Sequence, residues 1–232
     1  MMRFQNREEA GQLLAMELSH HANRKNLLIL ALPRGGVPVA HEVARVLHAP
    51  LDLLLVRKLG VPGHEETAMG AIATGGIRLL NKQMIATLGV TPESVAEVER
   101  LEGEELERRE RLYRATRPPL DARGKTVILV DDGIATGSTM QAAITSLRQR
   151  HAGRIVVASP VAPASVVTLL RQMADEVVCI QTPEDFGGVG QWYDDFSQTS
   201  DEEVRRLLNV QEEAAEALSF GTSGPGSFPN LL

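Results

Sequence analysis

The sequence predicts an α/β fold with a central, mostly parallel sheet flanked by helices, and three observations carry that prediction. Apolar runs of strand length recur at 27–32 (LLILAL), 51–56 (LDLLLV), 126–130, 154–159 (RIVVAS) and 176–180 (EVVCI). In the clearest of them, Val127, Ile128, Leu129 and Val130 are consecutive apolar residues rather than alternating ones, which suits a strand buried on both faces. Between the runs lie helical spacings, such as Val39, Val43, Val46, Leu47 and Met140, Ile144, Leu147. Strands alternating with helices imply short right-handed crossovers. A chain of 232 residues is long enough for one such domain with a sizeable core.

Each element has its own local cause. Asn6 with Glu9 resembles a capping box, and Ala10, Leu13, Leu14 and Leu18 follow at helical spacing. Gly75-Gly76, between AIAT and IRLL, predicts a hairpin turn. Thr91-Pro92 starts a helix well, with Thr at the N-cap and Pro in the first turn. That helix, about 92–115, carries the i,i+4 pairs Glu104–Arg108, Glu105–Arg109, Glu107–Arg111 and Glu110–Arg114. It reads as a solvated face, or as arginines lining a dimer interface or an active site. A further helix is expected near 163–173. Residues 219–232, which contain GTSGPGSFPNLL, read as a disordered tail after a domain covering 1–218.

Composition excludes several classes. Apolar residues make up 43% and charged residues 23%, and no apolar run approaches a membrane span. The start of the chain becomes charged at once and lacks a signal-peptide core, so a cytoplasmic location is the expectation. Net charge is −6. The stretch 201–232 holds six acids against Arg205 and Arg206, which leaves only −2 for the rest. No basic face argues for nucleic acid. The single Cys179 lies in an apolar run and reads as a core residue. No His/Cys cluster suggests zinc.

The most informative stretch is 127–139, VILVDDGIATGST. An apolar strand ends in Asp131 and Asp132, and the small-residue loop Ala135-Thr136-Gly137-Ser138-Thr139 leads into a helix. N–H groups at a helix start and loop hydroxyls attract phosphate. Carboxylates accept from sugar hydroxyls. A phosphorylated ribose meets both demands. A P-loop would need a lysine after its second glycine, and a dinucleotide fingerprint would place its acid after the glycines.

Residues 127–139 resemble the phosphoribosyl-diphosphate (PRPP) signature of type I phosphoribosyltransferases over all 13 positions. The resemblance spans roughly residues 1–210 and is nearest to uncharacterised predicted members of that family. It implies a type I phosphoribosyltransferase-like sheet with a small hood, built from the N-terminal segment and about 181–200. It also implies transfer of phosphoribosyl from PRPP to an acceptor nitrogen, a nucleobase, with release of pyrophosphate and with Mg²⁺ held mainly on substrate oxygens. Asp131 and Asp132 would hold the ribose hydroxyls, and residues 135–139 the 5-phosphate.

The other motifs are carried over in the same way. Arg34, Gly35 and Gly36 of the PRGG turn would bind pyrophosphate, in a loop that in the family often contains a cis peptide. Arg57 and Lys58, read as the carboxyl end of the second strand, would add cations beside a mobile loop at Gly60, Pro62 and Gly63. Lys58 is the expected contact to the leaving group, and His64, Glu65 and Glu66 occupy the presumed lid. In PEDFGGVGQWYDDF (183–196), Phe186 or Trp192 would stack on the base, Val189 would contact it through backbone groups, and Asp194 would meet the metal or pyrophosphate. The bland alternative is that Trp192, Tyr193 and Phe196 pack the hood. The rival function is a PRPP- or nucleotide-sensing regulator on the same fold. A nucleotide hydrolase would need a carboxylate–His pair that the sequence does not offer. A homodimer is compatible with all of these.

Overall fold

Four apolar residues ahead of the acidic pair make the central strand. In the computed structural model, which describes residues 3–114 and 121–220, Thr126–Val130 is buried at every position. Numbering strands in chain order, this is β6, and it pairs in parallel with β1 (Leu27–Ala31) on one side and β7 (Arg154–Val161) on the other. β2 (Leu51–Leu53) and β8 (Glu176–Gln181) complete the sheet in the order β2-β1-β6-β7-β8, parallel throughout.

Side chains alternate across this sheet. Ile29, Ile128 and Val156 join one core with α1 (Arg7–Glu17), α2 (Gly36–Leu47) and α7 (Asp201–Phe220). Leu28, Val127 and Val157 join another with α5 (Ser138–Gln149) and α6 (Ala164–Leu170). Cys179 packs against that second core, and burial pushes its thiol up to about 11.

The local signals act where the spacing predicts. Asn6 Oδ1 caps α1 by accepting from the Glu9 N–H at 2.9 Å, while Glu9 accepts from Gln5 rather than from the cap residue itself. Thr91 Oγ1 accepts from Ser94 N at the start of α4 (Pro92–Arg114). Three of the four expected helix pairs form; Arg108 instead turns back to Glu105, and Glu104 pairs with Arg100. Arg114 is buried and binds Asp52 at 2.6 Å, tying α4 to the edge of the sheet.

The second apolar run is divided, contrary to the expectation of one strand over 51–56. β2 stops at Leu53, and the chain leaves the parallel sheet to enter a second, antiparallel sheet of β3 (Val56–Val61), β4 (His64–Ala73) and β5 (Ile77–Leu80). Leu55 and Thr74 exchange hydrogen bonds where the two sheets part. Arg57 and Lys58 therefore lie inside β3, not at the end of a parallel strand, and His64 and Glu65 begin β4 rather than a loop. The reason is packing: Leu59, Val61 and Met69 bury against Val95 of α4. The turn after β4 is the expected one, with φ of +82° at Gly75 and +75° at Gly76. α7 runs to Phe220, and residues 221–232 of the expected tail lie outside the described residues.

Candidate active site

The carboxyl ends of β1 and β6 lie side by side, so the turns that follow them meet. Residues 32–36 wrap onto the acidic pair with almost no clearance. A Cβ on Gly35 would stand 2.0 Å from Asp132 Oδ2, and one on Gly36 would stand 2.8 Å from the Val130 carbonyl oxygen and 3.0 Å from Asp131 Cα. Gly35 has an ordinary right-handed conformation, so its glycine is required for space and not for backbone freedom. The peptide between Pro33 and Arg34 is cis.

Beyond the acids, Ile134 N–H donates to the Val161 carbonyl and anchors the loop. Gly137, at φ +76°, turns the chain into α5 and fills its N-cap position. A left-handed residue without a Cβ is what that turn demands. Ala135, Thr136, Ser138 and Thr139 surround it, and the Thr136 and Ser138 hydroxyls are 3.2 Å apart on the exposed side. The first N–H groups of α5 have no intrahelical partner, so this rim offers donors to an anion.

The electrostatics of the acidic pair are unequal. Asp131 accepts from the Asp132 N–H at 2.9 Å. Burial, and then the neighbouring Asp132 charge, raise its carboxyl well above the usual range. Asp132 is compensated by Arg7, whose Nε lies 2.7 Å from Oδ2 with both side chains nearly buried.

A family model described as "Phosphoribosyl transferase domain" matches residues 3–197. The chain belongs to that family. It is 44% identical over 218 residues to "Putative phosphoribosyl transferase Rv0571c" of Mycobacterium tuberculosis strain H37Rv, and equally to "Putative phosphoribosyl transferase MT0597" of strain CDC 1551. Each match covers 94% of this chain and 49% of the relative, so the chain spans about half the length of the curated relatives it matches. The crystal structure of TT1426 from Thermus thermophilus superposes with a TM-score of 0.81 at 41% identity, covering 90% of this chain and 99% of that one.

On this phosphoribosyl transferase framework, the residues singled out from sequence are distributed unevenly. Gly35 and Gly36 stand against Asp131 and Asp132 as one wall, and the 135–139 loop follows three residues further along the chain. Val189 reaches the wall from the hood: a Cβ on Gly133 would touch Val189 Cγ1 at 2.3 Å. The Arg34 guanidinium points the other way, 3.5 Å from Asp201 at the start of α7, where Asp201 also accepts from the Tyr113 hydroxyl.

Arg57 and Lys58 are adjacent in one strand and so face opposite sides of the antiparallel sheet. Arg57 bonds Glu102 of α4 at 2.6 Å and lines a narrow crevice with Pro33, Thr139 and Arg109. Lys58 is paired across the sheet with Ala71. Ala71 lines a groove of about 590 Å³ that runs between the hairpin sheet and α5 and includes Ser138. Arg57 thus shares a crevice with Thr139, and Lys58 lies on the opposite face of the same strand.

The hood is assembled around Phe4, which pairs with Tyr193 and accepts the Asp194 N–H. Trp192 is only 7% exposed and stacks on Phe186, with ring centroids 6.4 Å apart. Trp192 is therefore a wall of the hood, while Phe186 is only partly buried. Asp194 is ion-paired with Arg3 at 3.0 Å on the exposed side.

Three further residues stand at this site: Arg7, to which sequence spacing gives no role; Tyr193, which packs the hood as the plainer reading has it; and Arg109 of the charged helix. Arg7 binds Asp132, donates to the Ser197 carbonyl at 2.7 Å and lies 4.0 Å above the Phe196 ring. Its signal was present: Arg7 falls on the inward stripe of α1 with Ala10, Gly11 and Leu14, where a charge needs a buried partner. The Tyr193 hydroxyl donates to the Asp132 carbonyl at 2.5 Å, and burial raises its phenol. Arg109, one of the helix arginines, lines the crevice beside Pro33. Nothing in sequence spacing marks it off from its neighbours.

Proposed function

We propose that this chain transfers phosphoribosyl from PRPP to an acceptor nitrogen, a nucleobase being the best-suited class, and releases pyrophosphate. The observation that carries this reading is the contact of the Gly35-Gly36 turn with Asp131 and Asp132, beside the open start of α5. One wall thereby offers carboxylates for ribose hydroxyls, N–H groups and hydroxyls for a 5-phosphate, and a close backbone approach for a diphosphate.

In this reading the Asp131 and Asp132 carboxylates accept from the ribose hydroxyls and fix C1 in line between acceptor and leaving group. Residues 135–139 hold the 5-phosphate. Gly35, Gly36, Arg57 and Lys58 receive the pyrophosphate as the C1–O bond breaks and the acceptor nitrogen bonds to C1, its proton passing to solvent; Arg34 would join them only after giving up Asp201. Positioning and stabilisation of the departing charge supply the rate. Phe186, backed by Trp192, offers a ring face to the base, and Val189 its backbone groups.

Mg²⁺ would be held mainly on substrate oxygens, since that hard cation prefers few protein ligands, with the Asp131 and Asp132 carboxylates as the hard oxygen donors of the wall. It would supply neutralisation of the diphosphate charge. Asp194 would contribute a carboxylate only after giving up Arg3. A second reading, a PRPP- or nucleotide-sensing regulator, draws on the Arg7 bridge. Because Arg7 joins Asp132 to Ser197 in the hood, ligand at the acids would be felt by the hood. A panel of nucleobases incubated with PRPP and Mg²⁺, scored for pyrophosphate release, tests the transferase reading. Release with at least one base is expected; tight PRPP binding with no release from any base would favour the regulator.

A further inference from the structure

His20 and His21 sit in a short turn, Ser19–His21, between α1 and β1. Sequence spacing gives them no third partner. The fold supplies one, because Glu176 opens β8 at the same end of the sheet. His20 Nε2 lies 3.0 Å from Glu176 Oε1, and His21 Nε2 lies 3.2 Å from Glu176 Oε2. The two rings are 4.1 Å apart, and the ligand atoms of all three residues fall within 4.8 Å of one another.

We propose that His20, His21 and Glu176 form a binding site for a transition-metal ion of the zinc type at the amino ends of the strands. Zinc bonds of about 2.0–2.1 Å in tetrahedral geometry hold neighbouring ligand atoms about 3.3 Å apart. The two His–Glu separations, 3.0 and 3.2 Å, are close to that spacing, and a shared ion would need the carboxylate to turn and the two imidazole nitrogens to sit within the same range. Two imidazoles and one carboxylate form a set that imidazole-preferring metals choose and that Mg²⁺ does not. His21 is 1% exposed and fixes one side of the site, while His20 is half exposed and leaves room for a water as fourth ligand.

The site lies away from the transferase wall. Glu176 begins β8, and Arg154, which begins β7, is 3.0 Å from Glu176 Oε2; the phosphate loop and acidic pair follow the opposite ends of the strands. A bound ion would clamp the edge strand β8 to the turn after α1.

Two features limit affinity. Arg154 competes for the carboxylate, and Arg24 lies close by, donating to the His20 carbonyl. His21 Nδ1 is buried without a hydrogen-bond partner; a missing outer-shell acceptor typically costs about 10- to 100-fold in affinity. A dissociation constant on the order of micromolar is expected, rather than the far tighter binding of structural zinc sites.

The test titrates Zn²⁺ and Co²⁺ into chelator-treated full chain. The expected result is one ion per chain, the visible absorption of four-coordinate Co²⁺, and a higher melting temperature with Zn²⁺. His20→Ala, at a half-exposed position, and Glu176→Gln should each weaken binding by about tenfold or more. Arg154→Ala should tighten it by freeing the carboxylate. The proposal is overturned if binding is millimolar or non-stoichiometric, if His20→Ala and Glu176→Gln change affinity less than about twofold while both remain folded, or if Arg154→Ala weakens binding.

Discussion

Gly35→Ala is the most discriminating perturbation of the site, because it adds a single methyl group at the contact that joins the two motifs. The new Cβ would lie 2.0 Å from Asp132 Oδ2, and real Cβ atoms keep at least 3.0 Å from such neighbours. Asp132 or the turn must therefore give by about 1 Å. Asp132 cannot retreat freely, because Arg7 grips the same oxygen at 2.7 Å and Tyr193 holds its carbonyl. A 1 Å misplacement of a positioning group costs about 100-fold in rate. Loss of the carboxylate's bond to a ribose hydroxyl, worth about 1.5–3 kcal/mol, weakens PRPP binding about 10- to 150-fold. Overpacking costs about 1–3 kcal/mol of stability, which for a chain of this size lowers the melting temperature by about 2–12 °C. Calorimetric titration with PRPP and thermal unfolding read both effects. Gly103→Ala is the control: a Cβ there meets nothing within 4 Å, and its helix should gain up to about 1 kcal/mol. If Gly35→Ala binds PRPP within about twofold of the unmodified chain, ribose does not depend on the wall described here.

Three further perturbations separate the parts of the site. Gly137→Val forces a β-branched residue into a left-handed position and puts a Cβ 2.9 Å from Val166; phosphorus NMR should show ribose 5-phosphate no longer bound, and normal binding would move the phosphate site elsewhere. Lys58→Ala should lower turnover by about 100- to 1,000-fold, the usual cost of one preorganised contact to developing charge, while PRPP affinity falls far less; equal losses would make Lys58 a simple binding residue. Asp131→Asn should raise stability at neutral pH. The raised Asp131 carboxyl means that the folded chain binds that proton more tightly than the unfolded chain does. Stability from this group is therefore greatest at acid pH and falls as pH rises from the ordinary carboxylate range through the raised value. Denaturant unfolding should show that decline in the parent and not in Asp131→Asn; an Asn variant less stable at pH 7 would contradict the assignment.

How much of this was legible in sequence depends on how local each cause is. The five parallel strands and the acidic loop could be read directly, because a buried strand, its acids and its turn are contiguous between Thr126 and Thr139. The glycines of the PRGG turn could be flagged, but not their reason, since Asp132 is brought to Gly35 by the pairing of β1 with β6. Arg57 and Lys58 were misplaced because the apolar run continues smoothly over Leu54 and Leu55, where the chain changes sheets. Hydrophobicity records burial, not which sheet does the burying. Trp192 is an aromatic that packs rather than presents its face, which sequence leaves open and its burial and stack with Phe186 decide. Arg7 and Glu176 gain their partners through tertiary contacts with no counterpart in spacing.

The proposed transfer requires that the 127–139 segment bind PRPP through its two carboxylates. Calorimetric titration of the Asp131→Asn and Asp132→Asn variants with PRPP in the presence of Mg²⁺ measures it most directly. Each variant should fold and bind PRPP about 10- to 150-fold more weakly than the parent, the worth of a hydrogen bond to a charged group. Unchanged affinity in both folded variants would contradict that requirement.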